Sequence, residues 1–476
     1  MTAPLSPPDA VARTHDLVVI GAGPAGIAAA STAAGLGLSC VVLDEQPAAG
    51  GQIWRNVATA SPARRALLGP DYAAGRTPVD ALAASGAEFL AGTLAWDVAR
   101  DLTVTALRDG RAFQVRAPQL IAATGALERA SPVPGWTLPG VMNAGAVQVA
   151  MKSGGAVPSG RVVLAGGGPL LLLVACQLLD AGVEVAAIVE TSPADNRRRA
   201  LAHLPRALRA WPVLSKGLAM IRRLRGARVP WFRHATGVAV LGSERAEGLG
   251  FDAGGRARRV DADLVLLHHG VIPNTQLPRL LRVEHAWSDA QLAWHVVVDA
   301  HGQTSLAGFR VAGDGAAIDG ALGAQAAGAL AALGAAHALG RLDDAGLARR
   351  SAPLALALER ERSVRPFLDA LYRPPRFVTE PVDDTIVCRC EEVTAERVRE
   401  MARLGCEGPN QAKFFSRCGM GPCQGRVCGG VVTQLLAAEL GRAPGSVGAF
   451  RIRAPLKPVP LSAIAGFDPH AGLPPR

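Results

Sequence analysis

The sequence predicts an α/β chain of two strand–helix–strand units followed by a cysteine-rich C-terminal segment. Three observations predict it: a glycine-rich turn after a short apolar run at residue 21, a second such turn at residue 166, and six of eight cysteines falling after residue 385. At 476 residues the chain exceeds what one hydrophobic core serves, so two or three domains are expected. A composition of 49% hydrophobic and 19% charged residues with 54 glycines suits a soluble α/β enzyme and excludes a disordered or fibrous chain.

In the first unit, DLVVIG (16–21) is an apolar run, GAGPAG (21–26) opens an alanine-rich helix, and SCVVLDE (39–45) is a second run ending in acid. Gly21 serves the tight turn, Gly23 lets backbone approach a pyrophosphate, and Gly26 lets helix pack on strand. The helix N-terminus then offers amides and a positive dipole end to phosphate. Asp44, 18 residues after Gly26, stands where a carboxylate can accept from ribose hydroxyls, and Glu45 competes for that role. Strand, helix, strand and acid in this order predict dinucleotide binding.

QPAAGGQIWR (46–55) adds the pair Gly50-Gly51 and Gln52, a feature of flavoproteins more than of plain dehydrogenases. QLIAATGALERASPVPGWTLPGV (119–141) is a β run ending in ATG, then a proline-rich crossover. FRVAGDGAAIDGALGAQAAGALAA (309–332) is a short strand, the pair Gly313-Asp314 and a small-residue helix. An Asp so placed can accept from a ribityl chain while the helix N-terminus faces the pyrophosphate or the isoalloxazine.

The second unit is RVVLAGGGPLLLLVACQLLDAGVEVAAIVE (161–190), interrupted by Asp180 and Glu184; it reads as strand, turn, helix and strand, not a membrane span. Gly166 and Gly168 are present, and Leu171 stands where a third glycine would fall, so the helix is expected to sit slightly off the strand. Glu190 favours an unphosphorylated ribose. A second nucleotide here, NAD or ATP, and an empty structural unit both stay open.

The net charge is +10, but the excess is arginine in an Ala/Gly/Arg-rich chain with 4% aromatics, so no nucleic-acid partner is expected. Only 197–228 is locally basic and amphipathic; it reads as a solvated helical insertion, with docking on a partner or an acidic membrane surface as the alternative. MTAPLSPPDAVARTHD has no basic segment joined to an apolar run, so no signal peptide and a cytoplasmic location are expected. In that reducing compartment, clustered cysteines point to metal or redox chemistry before disulfides.

The order GAGPAG, GGQ, ATG, second glycine loop, HHGVIPNT (268–275) and AGD resembles the two-dinucleotide-binding-domain flavoproteins that include pyridine nucleotide-disulfide reductases, over residues 16 to about 340. The redox-active cysteine pairs of those reductases are absent. IVCRCEEVTAERV with RCGMGPCQGRVC resembles the domain shared by bacterioferritin-associated ferredoxin and flavoprotein subunits of opine oxidases, D-hydroxyproline and dye-linked proline dehydrogenases and hydrogen cyanide synthase. DEQPAAGGQIWR and PGWTLPGV fit the opine oxidase and hydroxyproline dehydrogenase type best. The resemblance implies two Rossmann-like dinucleotide-binding domains plus a small helical C-terminal 2Fe-2S domain. Residues 1–155 and 285–345 would form the FAD-binding domain, interrupted by an NAD(P)-binding-like domain at 156–284. A linker at 346–380, the 2Fe-2S domain at 381–440 and a tail at 441–476 would follow.

Cys388 and Cys390, at i and i+2 in an extended segment, point to one side and can share one iron. Cys423 and Cys428 are five apart, which on a helix would set them about 140° from each other, so they need the loop that GMGPCQGR provides. With C-x-C and C-x4-C this matches a 2Fe-2S site of the bacterioferritin-associated ferredoxin type, whose expected ligands are Cys388, Cys390, Cys423 and Cys428. Cys418 either replaces Cys423 or stays a free thiol nearby. Arg389, Arg417 and Arg426 can offset the cluster's negative charge. A structural zinc site is the alternative, since four thiolates suit zinc equally. Cys40 and Cys176 read as apolar packing, and Cys406 has no partner at ligand spacing.

By resemblance, then, the expected protein is the flavin and iron-sulfur subunit of a heteromeric dehydrogenase taking hydride from a secondary amine or amino acid. Its expected partner is a second flavoprotein of D-amino-acid-oxidase-like type, and its electron acceptor leaves room for peripheral membrane contact. An NAD(P)H-dependent reductase, a glycine-oxidising subunit of hydrogen cyanide synthase type and a zinc-held assembly module are the rivals. No catalytic base is assigned: His268 and His269 read as packing residues, and His15, His203 and His285 as lacking partners.

Overall fold

The computed structural model describes residues 15–467, so the N-terminal signal reading and the end of the tail lie outside the described residues. Two five-stranded parallel sheets carry the chain. The first runs Phe309–Val311, Gln119–Ala122, Leu17–Ile20, Cys40–Leu43, Glu88–Leu90. The second runs Trp231–Phe232, Glu184–Glu190, Arg161–Gly166, Leu264–His268, Val141–Asn143. Each central strand is the one that feeds a glycine loop, so both loops open at the carboxyl edge of their sheet, where ligands bind in open α/β folds. LVVI and CVVL are buried along their whole length because parallel strands are covered on both faces.

The helix Pro24–Gly35 begins with proline at its first turn and continues in alanines, which lets it lie close to the sheet. Its partner in packing is the small-residue helix Gly320–Ala338. The strands Ala126–Glu128 and Val271–Pro273 pair antiparallel and bridge the two sheets. Leu171 is buried in a core that also holds Leu17, Val19 and Leu164, so the two units share apolar packing.

The basic stretch forms three short to medium helices, Asp195–Leu201, Leu204–Ala207 and Trp211–Gly226, with Leu201, Leu208, Trp211 and Leu218 exposed. Among the described residues no helix is long and apolar enough to cross a membrane.

Beyond residue 380, the hairpin Ile386–Cys388 and Val393–Thr394 precedes helices Ala395–Arg403, Pro409–Ser416 and Gly429–Glu439, with the cysteine loop between the last two. Met401, Cys406, Cys418, Cys428, Leu435 and Phe450 belong to the same buried cluster as Val18, Val41 and Leu120 of the first sheet. The cysteine segment is thus packed onto the first unit, not tethered to it.

Candidate functional site

Gly21 ends the central strand with φ +101°, and a Cβ on Gly26 would lie 1.8 Å from the Gly21 carbonyl oxygen. Only glycine at 26 lets the helix sit this close to the turn. The helix has no side-chain cap at Gly23, so its first-turn amides stay available for an anion. Gly51 faces Gly23 across the cradle: a Cβ there would lie 2.7 Å from the Gly23 Cα. Gln52 is exposed, and its carbonyl accepts from Lys152 Nζ at 3.1 Å.

The two acids behind the loop part company. Asp44 is 8% exposed and accepts from the Ala22 amide at 2.5 Å and the Gln46 amide at 2.8 Å. Burial pushes its carboxyl up and the two amides partly offset this. Glu45 is turned outward and pairs with Lys457 of the tail. Gly313 and Asp314 form a short 3-10 turn, and Asp314 accepts from the Asp319 and Gly320 amides at 2.9 and 3.2 Å. That carboxylate caps the start of Gly320–Ala338, and burial raises its pKa. Bare amides, facing glycines and carboxylates at two strand ends form a cradle that fits FAD.

The second glycine loop has another shape. Gly168 has φ +127° where Gly23 has −78°, and a Cβ on Gly166 would lie 1.8 Å from the His268 carbonyl oxygen. A Cβ on Gly167 would lie 3.3 Å from the Tyr372 ring. Asn196 donates to the Leu371 and Arg373 carbonyls at 3.3 and 3.0 Å, which fixes the linker there. Glu190 accepts from Trp231 Nε1 at 3.1 Å, and burial together with the Glu190 charge pushes the Tyr372 phenol up to about 12.

His268 is buried and hydrogen-bonds Glu128 at 2.6 Å, while Glu128 also accepts from the Gly145 amide at 2.9 Å. His269 sits between Ser131 and Thr191 at 2.7 and 3.0 Å, and burial lowers it to about 3. Both are buried and hydrogen-bonded to side chains of the protein. His15 and His285 correct the sequence reading that they lack partners: His15 lies 3.7 Å from Glu88, and His285 hydrogen-bonds the Val283 carbonyl at 2.7 Å. Both partners are set by strand pairing and a local turn, which the sequence does not display.

Five cysteines meet in the C-terminal domain. The sulfurs of Cys388, Cys418 and Cys428 lie within 4.8 Å of one another, all buried. The Cys418 and Cys428 thiols donate to Cys388 and, with the Gly419 amide at 3.4 Å, hold it well below the usual thiol range. Cys390 is exposed and neighbours Cys423, whose amide donates to it. The four spacing-selected cysteines therefore span two adjoining groups, and Cys418 joins the buried one. Cys406 is buried elsewhere, with its thiol raised by burial. Five soft donors with one poised as thiolate fit an iron-sulfur cluster or zinc.

Comparison with known proteins agrees with this geometry. The pyridine nucleotide-disulphide oxidoreductase family profile matches residues 15–329, and the sarcosine oxidase A3 domain profile matches 383–467. The chain is 43% identical to an opine oxidase subunit of Agrobacterium tumefaciens (strain Ach5), over 96% of this chain and 92% of that protein. It belongs to the pyridine nucleotide-disulphide oxidoreductase family. Hydrogen cyanide synthase subunit HcnB of Pseudomonas aeruginosa is 33% identical, over 95% of this chain and 99% of that protein. Among solved structures, L-proline dehydrogenase from P. horikoshii shares the fold, with a TM-score of 0.67 and 19% identity over 94% of this chain and 78% of that one.

Within this family of FAD-dependent oxidoreductases, the present member has no cysteine pair beside either glycine loop. Cys40 and Cys176 are single and buried, and burial pushes Cys40 up to about 12. One buried charged residue beside the first glycine cradle escaped sequence reasoning. Lys152, 3% exposed, reaches from the helix Ala144–Gly154 to the loop at Gln52. Its only sequence signal is a lone lysine amid the apolar residues of that helix.

Proposed function

We propose that this chain is the flavin and iron-sulfur subunit of a heteromeric dehydrogenase that oxidises a secondary amine or amino acid. One observation carries the reading: the cysteine loop shares a buried core with the sheet that presents the flavin cradle. Bound FAD would accept a hydride equivalent, and a 2Fe-2S cluster would release electrons singly. Names of relatives of similar length, the opine oxidase chains above all, support amine oxidation and a subunit role. We divide the chain as the sequence does, with a flavin domain interrupted by 156–284 and a cluster domain over 381–440.

In this reading the Gly21–Gly26 amides take the pyrophosphate, Asp44 the ribose, and Asp314 the ribityl chain. Cys388, Cys390, Cys423 and Cys428 hold the cluster, with Cys418 as a fifth sulfur within reach. Arg426 donates to the Cys423 carbonyl at 3.1 Å and to the Leu456 carbonyl, so the tail braces the loop. Its guanidinium offsets thiolate charge. Phe414 and Phe415, 77% and 62% exposed, stand on the helix before the loop and support a covering partner chain; that this partner is a second flavoprotein is carried by the resemblance alone. The location is cytoplasmic.

Anaerobic addition of candidate amines with an artificial dye acceptor, followed by flavin absorbance and electron paramagnetic resonance, tests this. The expected result is flavin bleaching and a cluster signal on reduction. Stoichiometric zinc without iron would refute it. Rapid bleaching by NADH but by no amine would establish the NAD(P)H-reductase alternative in its place.

A further inference from the structure

A cavity of about 70 Å³ lies where the bridging strands, the 285–296 hairpin and the cysteine loop meet. Leu127 and Ile272 wall it from the bridging strands, Trp287 and Trp294 from the hairpin, and Phe450 from the tail. Three polar side chains share this wall with unmet hydrogen-bonding capacity. Arg279 Nη2, Trp294 Nε1 and Gln276 Oε1 are buried with no hydrogen-bond partner among the described residues. Gln276 is 8% exposed.

Arg279 is the anomaly. Its Nε donates to Thr275 Oγ1 at 3.1 Å, and its guanidinium lies 5.0 Å from the Trp294 ring centroid. No carboxylate pairs with it among the described residues, and burial lowers it to about 10. A buried cation without a counter-charge and a buried donor without an acceptor are costly, and both costs are lifted by one ligand carboxylate. Gln276 Oε1 calls for a donor at the other end of that ligand. Two indole rings, 5.6 Å apart and T-shaped, suit an ammonium beside them.

We propose that this cavity binds a small α-amino carboxylate, with the carboxylate on Arg279 and Trp294 and the amine on Gln276. At about 10–15 Å³ of such volume per water-sized group, the space takes roughly five or six non-hydrogen atoms, the size of glycine or alanine. A larger amine could place only one arm here. The site is read from geometry; its link to turnover rests on the function proposed above.

The test is equilibrium binding of glycine, alanine and pyruvate to the flavin-loaded full chain, with indole fluorescence as a second readout. Pyruvate matches alanine in size but lacks the amine. Alanine is expected to saturate and to bind about tenfold tighter than pyruvate. Arg279→Met should weaken alanine at least about tenfold, since a charge-assisted bond is lost. Gln276→Leu should weaken alanine to the pyruvate level and leave pyruvate unchanged, a pattern that misfolding cannot produce. Trp294→Phe keeps the ring and should weaken both ligands alike.

No saturable amino-acid binding up to about 10 mM would overturn the proposal. So would Arg279→Met binding as wild type does, or pyruvate matching alanine. Amine-driven flavin reduction without such binding would sink this site alone. Binding without reduction by any amine would sink the functional reading and leave the site standing.

Discussion

Replacing Lys152 by methionine should flatten the pH dependence of stability. Lys152 Nζ donates to the Gln52 carbonyl at 3.1 Å and Gln148 Oε1 at 2.8 Å, with no carboxylate paired to it among the described residues. Burial first and the Arg55 charge second lower its pKa from 10.5 to about 7. Above that pH the folded chain holds a neutral amine, whereas the unfolded chain stays protonated up to its ordinary value. Unfolding therefore takes up a proton between about pH 7 and pH 10.5, and this group's contribution to stability rises with pH across that window. Below about pH 7 both states are protonated and the penalty is full and constant. At about 1.4 kcal/mol per pH unit, less the rounding near the folded pKa, the gain from pH 7 to pH 9 is roughly 2–3 kcal/mol.

Lys152→Met removes this slope and leaves two acceptors unpaired, a pH-independent cost of about 1–3 kcal/mol. The variant should be the more stable near pH 6 and lose that advantage near pH 9. Urea unfolding of both flavin-loaded proteins at fixed ionic strength, compared as differences, measures it. Profiles parallel within about 0.5 kcal/mol from pH 6 to pH 9 would refute the buried, unpaired lysine.

Three further outcomes follow from the site. Gly26→Ala puts a methyl 1.8 Å from a carbonyl oxygen that belongs to backbone, so the helix must move; about 1–3 kcal/mol of stability and much of the bound flavin should be lost, read from the flavin-to-protein absorbance ratio of purified material. Asp44→Ala should weaken FAD at least about tenfold in a fluorescence titration, while Glu45→Gln leaves it unchanged because Glu45 serves the tail; equal effects would reject the division. With Cys388, Cys390, Cys423 and Cys428 as the proposed ligands, Cys423→Ser should lose iron and the reduced-state resonance signal and Cys418→Ser should keep both; because it is the Cys418 sulfur that lies within 4.8 Å of those of Cys388 and Cys428, the reverse pattern would make Cys418 the ligand in place of Cys423.

Much of the fold was legible because its signals are short-range. The glycine at 26, the proline after each loop and the continuous apolar runs LVVI and VVLAG report local sterics and burial on both faces. Strand, helix, strand and acid follow in order over about 30 residues, and the first loop took the shape those residues require. The second loop kept its glycines but not the first loop's backbone, since His268 and Tyr372 pack against it from 100 and more residues away.

Residue order alone was enough to specify the two units, the candidate flavin cradle, the cysteine segment and the lack of a dithiol beside either loop. Packing in three dimensions settled which acid faces the cradle, that Cys418 lies with Cys388 and Cys428, and that Arg279, Gln276 and Trp294 share one cavity wall. The difference lies in the range of the interactions. Spacing limits what a turn or a strand can do, whereas a tail lysine meeting Glu45 or a cysteine loop closing on a hairpin depends on how separately built elements pack.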